Sequence, residues 1–149
     1  MNQAARLLAI EEIKMLKAKY FLGIDTQDWD LLRREVLIPE ISFTIPEFRE
    51  QPYCGQDEVF AMFELGLKGM ASVHHGHMPI IEITAEDTAR GIWAMEDRIY
   101  WAGSGAVRGS ALQLHGFGHY RETYLKRHEG WRIETIKLTR LRKETREIT

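Results

Sequence analysis

The chain has 149 residues, of which 44% are hydrophobic and 28% are charged, and its formal charge at pH 7 is −2. These values predict one globular domain, residues 1–149, and argue against a nucleic-acid-binding protein or a membrane-spanning one. The single cysteine, Cys54, excludes an internal disulfide and is typical of a reducing compartment, so we expect a cytoplasmic protein.

The first third of the sequence predicts helices. Apolar residues at spacings of three and four form one face of an amphipathic helix: Ile10, Ile13, Leu16, Tyr20 and Ile24. Gly23 is expected to end this helix, and Asp25 or Thr26 to cap a short second one. A first strand is predicted over residues 41–46 and a third helix over residues 56–70.

The remainder predicts a sheet. Four strands are expected, over residues 74–84, 88–101, 112–126 and 131–141, with a glycine- and serine-rich loop over residues 103–110. Pro79 implies a bulge or an edge position. The fold class is therefore α+β: a cone-shaped, curved antiparallel sheet whose central cavity is covered by the N-terminal helices.

A cluster of histidines marks the start of the first long strand. His74 faces one side of that strand, whereas His75 and His77 face the other, and alternation alone leaves open whether His74 or His75 points inward. In the next strand, Asp97 shares a face with apolar residues, where a carboxylate needs a donor. A histidine from the neighbouring strand is a natural donor, so acid–base chemistry in an apolar pocket is predicted.

Further residues could line that pocket. Its apolar wall is expected to contain Trp93, Met95 and Phe117, and its polar contacts His119 and Arg140, the last of which suits an anionic group. No metal site is expected, because no zinc-binding cysteine pair or His-Glu-x-x-His helix is present. No organic cofactor is expected either, because glycine-rich phosphate-binding motifs are missing.

Several motifs together resemble a known family. They are Tyr20-Phe21-x-x-x-Asp25-x-x-Asp28-Trp29, Val73-His74-His75, Ala89-Arg90-Gly91-Ile92-Trp93, Gly118-His119-Tyr120 and Gly130-Trp131-Arg132-Ile133. The chain is thereby similar, over essentially its whole length, to the SnoaL-like branch of the nuclear-transport-factor-2-like superfamily. That resemblance implies a cone-shaped α+β fold, assembled as dimers or trimers.

Within the superfamily the pattern looks most like dehydratases of the scytalone and bile-acid type. The resemblance places Tyr20, Asp25, His74 and Asp97 at the positions of the catalytic residues. The implied reaction is a lyase reaction on an apolar, carbonyl-bearing small molecule. His74 would be the general base, Tyr20 would donate to the enolate oxygen, Asp97 would orient His74, and Asp25 would protonate the leaving hydroxyl.

Two other functions remain open. An isomerase or cyclase would use the same enolate chemistry, and a non-catalytic binding or assembly protein would use the cone as a receptor. A homodimer or homotrimer is expected, because apolar residues such as Ile92 lie on the outer face of the predicted sheet. Neither nucleic acid nor membrane is expected as a partner.

Overall fold

The computed structural model describes residues 1–101 and 111–148 and has a helical N-terminal part. Helix α1 spans Gln3–Thr26, and α2 spans Trp29–Leu31 and is followed by a π-helical turn over Leu32–Val36. Helix α3 spans Gly55–Leu67. The predicted loop over residues 103–110 lies outside the described residues.

Helix α1 buries the apolar face that its sequence predicts. Ile13, Leu16, Tyr20 and Ile24 are all 5% exposed or less. Gly23, however, does not end the helix: a Cβ there would lie 2.6 Å from the Leu32 side chain, so the glycine permits close packing. The helix instead ends at Gln27, which adopts the left-handed conformation (φ 55°).

The second helix begins one turn later than expected. Its N-cap is Asp28, whose side chain accepts a hydrogen bond from the Leu31 backbone N–H at 2.9 Å. The predicted caps, Asp25 and Thr26, lie instead in the last turn of α1. The Asp25 carboxylate is therefore free to act elsewhere.

Six strands form one curved, unclosed sheet. Their bounds are β1 Leu37–Thr44, β2 Tyr53–Cys54, β3 Met70–Ile83, β4 Thr88–Trp101, β5 Ala111–Arg127 and β6 Gly130–Ile148. The strand order is β2-β1-β6-β5-β4-β3, which places β3 at an edge, with a register shift between Gly76 and Pro79 as predicted. All pairs are antiparallel except β1 with β6, which is parallel.

The predicted α+β cone fold is confirmed. The helices cover the inner face of the sheet, and the apolar core lies between the two layers. The outer sheet face carries Ile80, which is 71% exposed, and the half-buried Ile92. The homodimer or homotrimer expected from this face stays a prediction.

Among the residues that the structure describes, no helix is long and apolar enough to cross a membrane.

Candidate active site

A cavity of about 100 Å³ lies between the helices and the inner face of the sheet. Most of its wall is apolar, but five polar or ionisable side chains line it as well: Tyr20, His74, Asp97, Tyr120 and Arg140. They come from α1, β3, β4, β5 and β6, so the fold brings together residues far apart in sequence. A mainly apolar cavity with a few convergent polar groups is the usual form of a small-molecule site.

His74 is the histidine that faces this cavity, and Asp25 holds it there. The Nδ1 atom of His74 lies 2.6 Å from Oδ1 of Asp25, and the His74 backbone N–H donates to Oδ2 at 2.9 Å. The Ser72 hydroxyl also donates to Oδ1, at 3.0 Å. With the carboxylate accepting at Nδ1, the neutral imidazole keeps Nε2 as its basic nitrogen.

The ring of His74 is also fixed by packing. It stacks on Phe21 with the two ring centroids 6.3 Å apart and the planes 11° apart. Its side chain is only 8% exposed, whereas the neighbouring His75 is exposed. The structure therefore separates one buried, oriented histidine from a solvent-facing neighbour.

The predicted pairing of His74 with Asp97 is wrong. The two residues are cross-strand neighbours in register, but Asp97 forms a buried ion pair with Arg140. Arg140 also donates to Glu47 at 3.1 Å. Burial lowers the pKa of Arg140, but Asp97, Tyr120 and Glu47 together raise it above its usual value, so the guanidinium stays charged.

This ion pair offsets the charge that Arg140 brings to the cavity. Two carboxylates pair with the guanidinium, Asp97 and Glu47, and Glu47 is shared with Lys143. The expectation that Arg140 binds an anionic substrate group stays a prediction. Asp97 Oδ1 and Arg140 Nε are buried without hydrogen-bond partners among the described residues.

Two tyrosines supply hydroxyl groups to the cavity wall. Burial, followed by the nearby Tyr120, raises the pKa of Tyr20 well above its usual value. Burial and the Asp97 carboxylate likewise raise the pKa of Tyr120. Both phenols therefore stay protonated at neutral pH and can donate hydrogen bonds.

A buried charged pair lies behind the tyrosines. The Nζ atom of Lys17 lies 2.5 Å from Oε1 of Glu122, and it stands 4.1 Å from the ring centroid of Tyr20 and 3.6 Å from that of Tyr120. Glu122 also accepts from the Tyr124 hydroxyl at 2.5 Å. Burial lowers the pKa of Lys17, and Glu122 offsets this in part.

The residues expected to form the apolar wall of the cavity, Trp93, Met95 and Phe117, do not line it. Trp93 and Met95 are buried on the inner face but do not line the cavity, and the Trp93 indole N–H donates to Tyr124 at 2.8 Å. Phe117 and His119 alternate with the buried Gly116, Gly118 and Tyr120, and so lie on the outer face. The expected cavity contacts of Phe117 and His119 are therefore wrong.

The sequence did not indicate several residues near the site, among them Tyr120, Phe48 and Ser72. Tyr120 and Phe48 line the cavity, and Ser72 binds Asp25. The alternation that places Ser72 and His74 on one face could have indicated Ser72. Phe48 follows β1 in an irregular segment, for which no periodic signal exists.

No group of three or more histidine, cysteine, aspartate or glutamate side chains is placed to hold a metal ion within residues 1–101 and 111–148. The cavity thus contains an oriented histidine, His74, two phenolic donors, Tyr20 and Tyr120, and the ion pair of Asp97 with Arg140. These groups can move protons and stabilise charge on a substrate oxygen.

Known proteins resemble this chain in sequence and in fold. The probable cyclase FGR4 of Gibberella zeae is 28% identical over 142 residues, which cover 87% of this chain and 89% of that protein. A scytalone dehydratase-like protein from Novosphingobium aromaticivorans has a TM-score of 0.82 at 15% identity, with 99% of this chain and 94% of that chain covered.

A hexachlorocyclohexane dehydrochlorinase from Novosphingobium barchaimii has a TM-score of 0.75 at 13% identity, with 99% and 95% covered. At these identities the solved structures establish the fold alone. Residues 5–137, most of the chain, match the model of the SnoaL-like domain. The chain thus belongs to the SnoaL-like family, as its motifs suggested.

Proposed function

We propose that the protein is a cofactor-independent lyase of the dehydratase type, which acts by general acid–base catalysis on an apolar, carbonyl-bearing small molecule. The observation that carries the proposal is the 2.6 Å contact of Asp25 with Nδ1 of His74 beside an otherwise mostly apolar cavity. A histidine held in one tautomer by a carboxylate is the arrangement that general-base catalysis requires.

The first step is proton removal. Nε2 of His74 takes a proton from the carbon α to the substrate carbonyl, and the electrons of the C–H bond form an enolate. Tyr20 or Tyr120 donates a hydrogen bond to the enolate oxygen, and a preorganised donor of this kind is worth about 3 kcal/mol. Asp25 stabilises the imidazolium that results.

The second step releases water. The enolate re-forms the carbonyl as the carbon–carbon double bond forms, and the bond to the β-hydroxyl breaks with its electrons leaving on oxygen. The His74 imidazolium returns its proton to that oxygen, which restores the neutral base. Asp25, which the sequence suggested for this task, is instead engaged in three contacts with Ser72 and His74.

The cavity volume narrows the substrate class. About 100 Å³ is less than the roughly 150 Å³ of a protein cavity that holds benzene. Phe48, which lines the cavity, is 60% exposed on the segment between β1 and β2. Acyclic β-hydroxy carbonyl compounds are therefore the first choice, and compounds with a ring require displacement of Phe48.

An isomerase or cyclase is the second candidate. It would share the proton removal by His74 and differ in where the proton or carbon goes next. The relationship to the probable cyclase of Gibberella zeae favours keeping this alternative. In the third candidate, a binding protein, the contact between His74 and Asp25 would be structural only.

Product analysis with a panel of small β-hydroxy ketones and esters tests the proposal. The conjugated product of elimination absorbs in the ultraviolet, and we expect His74→Gln to reduce its formation by about 10²- to 10⁴-fold. His75→Gln is the matched control, because His75 is the exposed neighbour on the same strand. Equal rates for wild type and His74→Gln would reject the assignment of the base. Substrate rearrangement without water loss would favour the isomerase or cyclase.

A further inference from the structure

Helix α1 carries a second apolar stripe on the side away from the core. Leu8, Met15 and Leu22 are 61%, 62% and 56% exposed. They follow one another at intervals of seven residues. Seven residues are close to two helical turns, so the three side chains form a line along one face.

This stripe differs from ordinary surface leucines. Single exposed apolar residues are common on soluble proteins and need no explanation. One apolar residue in every seven, along a helix of 24 residues, instead forms a continuous line against which a second helix can pack. The stripe lies on the exposed side of α1, so the fold of one chain leaves it uncovered.

The stripe and its charges are symmetric about Met15. Leu8 and Leu22 lie seven residues on either side of it, and Glu11 and Lys19 lie four residues on either side. In an antiparallel pair of α1 helices centred on Met15, each Leu8 would therefore meet Leu22 of the second copy. Each Glu11, which pairs with Lys14 of its own chain at 2.6 Å, would also meet Lys19 of the second copy. Lys19 in turn pairs with Glu35 of its own chain at 2.7 Å, so the contact would join two existing ion pairs.

A parallel pair of α1 helices would place like charges, rather than opposite charges, next to each other. It would bring Glu11 against Glu11 and Lys19 against Lys19, and like charges at a contact are unfavourable. The sequence of the helix thus matches itself in only one of the two orientations. Self-complementarity of this kind is what a two-fold symmetric interface requires.

We propose that α1 is a self-association surface, on which a second copy of this chain docks its own α1 in antiparallel orientation around a two-fold axis at Met15. A groove of about 220 Å³ runs beside the stripe, between Met15 and Lys19 of α1 and Trp131 and Arg132 of the β5–β6 hairpin. It leaves room for side chains of the second helix. The contact is separate from the outer sheet face and from the candidate active site.

The contact is small, so the dimer is weak. One helix pair buries less area than the roughly 1,200–2,000 Å² of a standard stable interface. We therefore expect association in the micromolar range or above, visible as a concentration-dependent mass. Cysteine cross-linking at high protein concentration captures such a contact directly.

The experiment uses the full chain with Cys54→Ser, which removes the exposed native thiol. Met15→Cys should give a covalent dimer with a short thiol cross-linker, because the axis brings the two Met15 positions together. Leu65→Cys, on α3, is the control, because Leu65 is more exposed at 85% but lies outside the stripe. Cross-linking of Met15→Cys no stronger than that of Leu65→Cys would overturn the proposal.

The antiparallel orientation of the two α1 helices is tested with two cysteine variants, one of which carries a tag so that the mixed dimer differs in size from the two self-linked dimers. A mixture of Leu8→Cys and Leu22→Cys chains should give the mixed dimer, and each alone should give little. Self-linking of Leu8→Cys above the mixed product would contradict the antiparallel arrangement.

A charge exchange provides the second test. Glu11→Lys and Lys19→Glu should each weaken dimerisation about tenfold, and the double variant should restore it. Mass measured by light scattering reports the dimer, and circular dichroism confirms that each variant is folded. A dimer whose dissociation constant is unchanged by Glu11→Lys and by Lys19→Glu would contradict the proposal.

Discussion

His74 and Asp25 are joined by a 2.6 Å contact between Nδ1 and Oδ1, although 49 residues separate them in the chain. Asp25 reaches the strand because it lies in the last turn of α1, directly opposite the start of β3. The same carboxylate accepts the His74 backbone N–H, so it fixes both the ring and the strand. Catalysis by His74 should therefore depend on Asp25.

The substitution Asp25→Asn tests that dependence. An amide at this position cannot stabilise the imidazolium, and its NH₂ group can bind the wrong tautomer of His74. We expect kcat to fall by about 10²- to 10⁴-fold. Steady-state kinetics measure the effect, with a substrate from the β-hydroxy carbonyl panel that the wild-type protein converts.

Asp28→Ala is the matched control for Asp25→Asn. Asp28 is the N-cap of α2 and makes no contact with His74, so its loss should cost about 1 kcal/mol of stability and leave kcat unchanged. Equal losses of kcat in the two variants would mean that Asp25 acts only by holding the fold.

Loss of one partner of the buried pair Lys17–Glu122 should be more destabilising than loss of both charges. Lys17→Met leaves the Glu122 carboxylate buried without its cation, so we expect a loss of about 3–5 kcal/mol in the free energy of unfolding. Adding Glu122→Gln removes the stranded charge and should recover most of that loss. Urea denaturation measures both.

The exposed pair of Arg90 and Glu82 provides the comparison. Arg90→Met should cost less than about 1 kcal/mol, because solvent screens this contact. A Lys17→Met variant as stable as Arg90→Met would show that the buried charge is not costly here.

Two inner-face glycines should not tolerate a methyl group. A Cβ at Gly116 would lie 2.1 Å from Asp97 Oδ1, and one at Gly118 would lie 2.0 Å from the Thr139 carbonyl oxygen. We expect Gly116→Ala and Gly118→Ala each to destabilise the protein by about 1–3 kcal/mol. The effect should be larger at Gly118, because the methyl group there meets backbone atoms, which cannot move aside as the Asp97 side chain can. Thermal or urea unfolding gives the values.

Gly66 is the control for these substitutions. It lies within α3 with open space around it, so Gly66→Ala should be neutral or stabilise by up to about 1 kcal/mol. Destabilisation by Gly66→Ala equal to that of Gly118→Ala would rule out the steric explanation.

The start of α3 should be sensitive to acid through Glu58. The Cys54 backbone N–H and then Arg49 lower the pKa of Glu58 below its usual 4.5. A carboxyl whose folded pKa is depressed contributes stability above its unfolded pKa and loses it as the pH falls through the folded pKa. Stability should therefore decline below about pH 4.5, and less steeply in Glu58→Gln.

Urea midpoints between about pH 6 and pH 3 test this prediction, with Glu64→Gln as the control on the same helix. Glu64 also lies on α3, and no hydrogen bond or ion pair of its side chain is found among the described residues, so its substitution should leave the slope unchanged. A Glu58→Gln slope equal to that of wild type would contradict the assignment.

The sequence predicted much of this fold, because its periodic segments are long. The buried face of α1 and the strand over residues 88–101 lie where the pattern placed them. Alternation also separated His74 from His75 and His77, and the structure places His74 at the cavity. Local periodicity was sufficient for these features.

The partner of His74 could not be read in the same way. His74 and Asp97 are indeed in register on neighbouring strands, which made their pairing reasonable. Arg140 from β6 competes for Asp97, and a permanently charged guanidinium is the stronger partner for a fully buried carboxylate. Such competition depends on strand order, which no single-strand pattern encodes.

The central claim, that His74 is a base oriented by Asp25, is tested most directly by exchange of the substrate α-proton with D₂O, followed by NMR. The substrate for this readout is an analogue without the β-hydroxyl, because its enolate cannot lose water and is instead reprotonated, so deuterium uptake reports proton removal alone. We predict exchange with wild type and His75→Gln, and a loss of at least about 10²-fold in His74→Gln and Asp25→Asn. Exchange at the wild-type rate in His74→Gln would contradict the account.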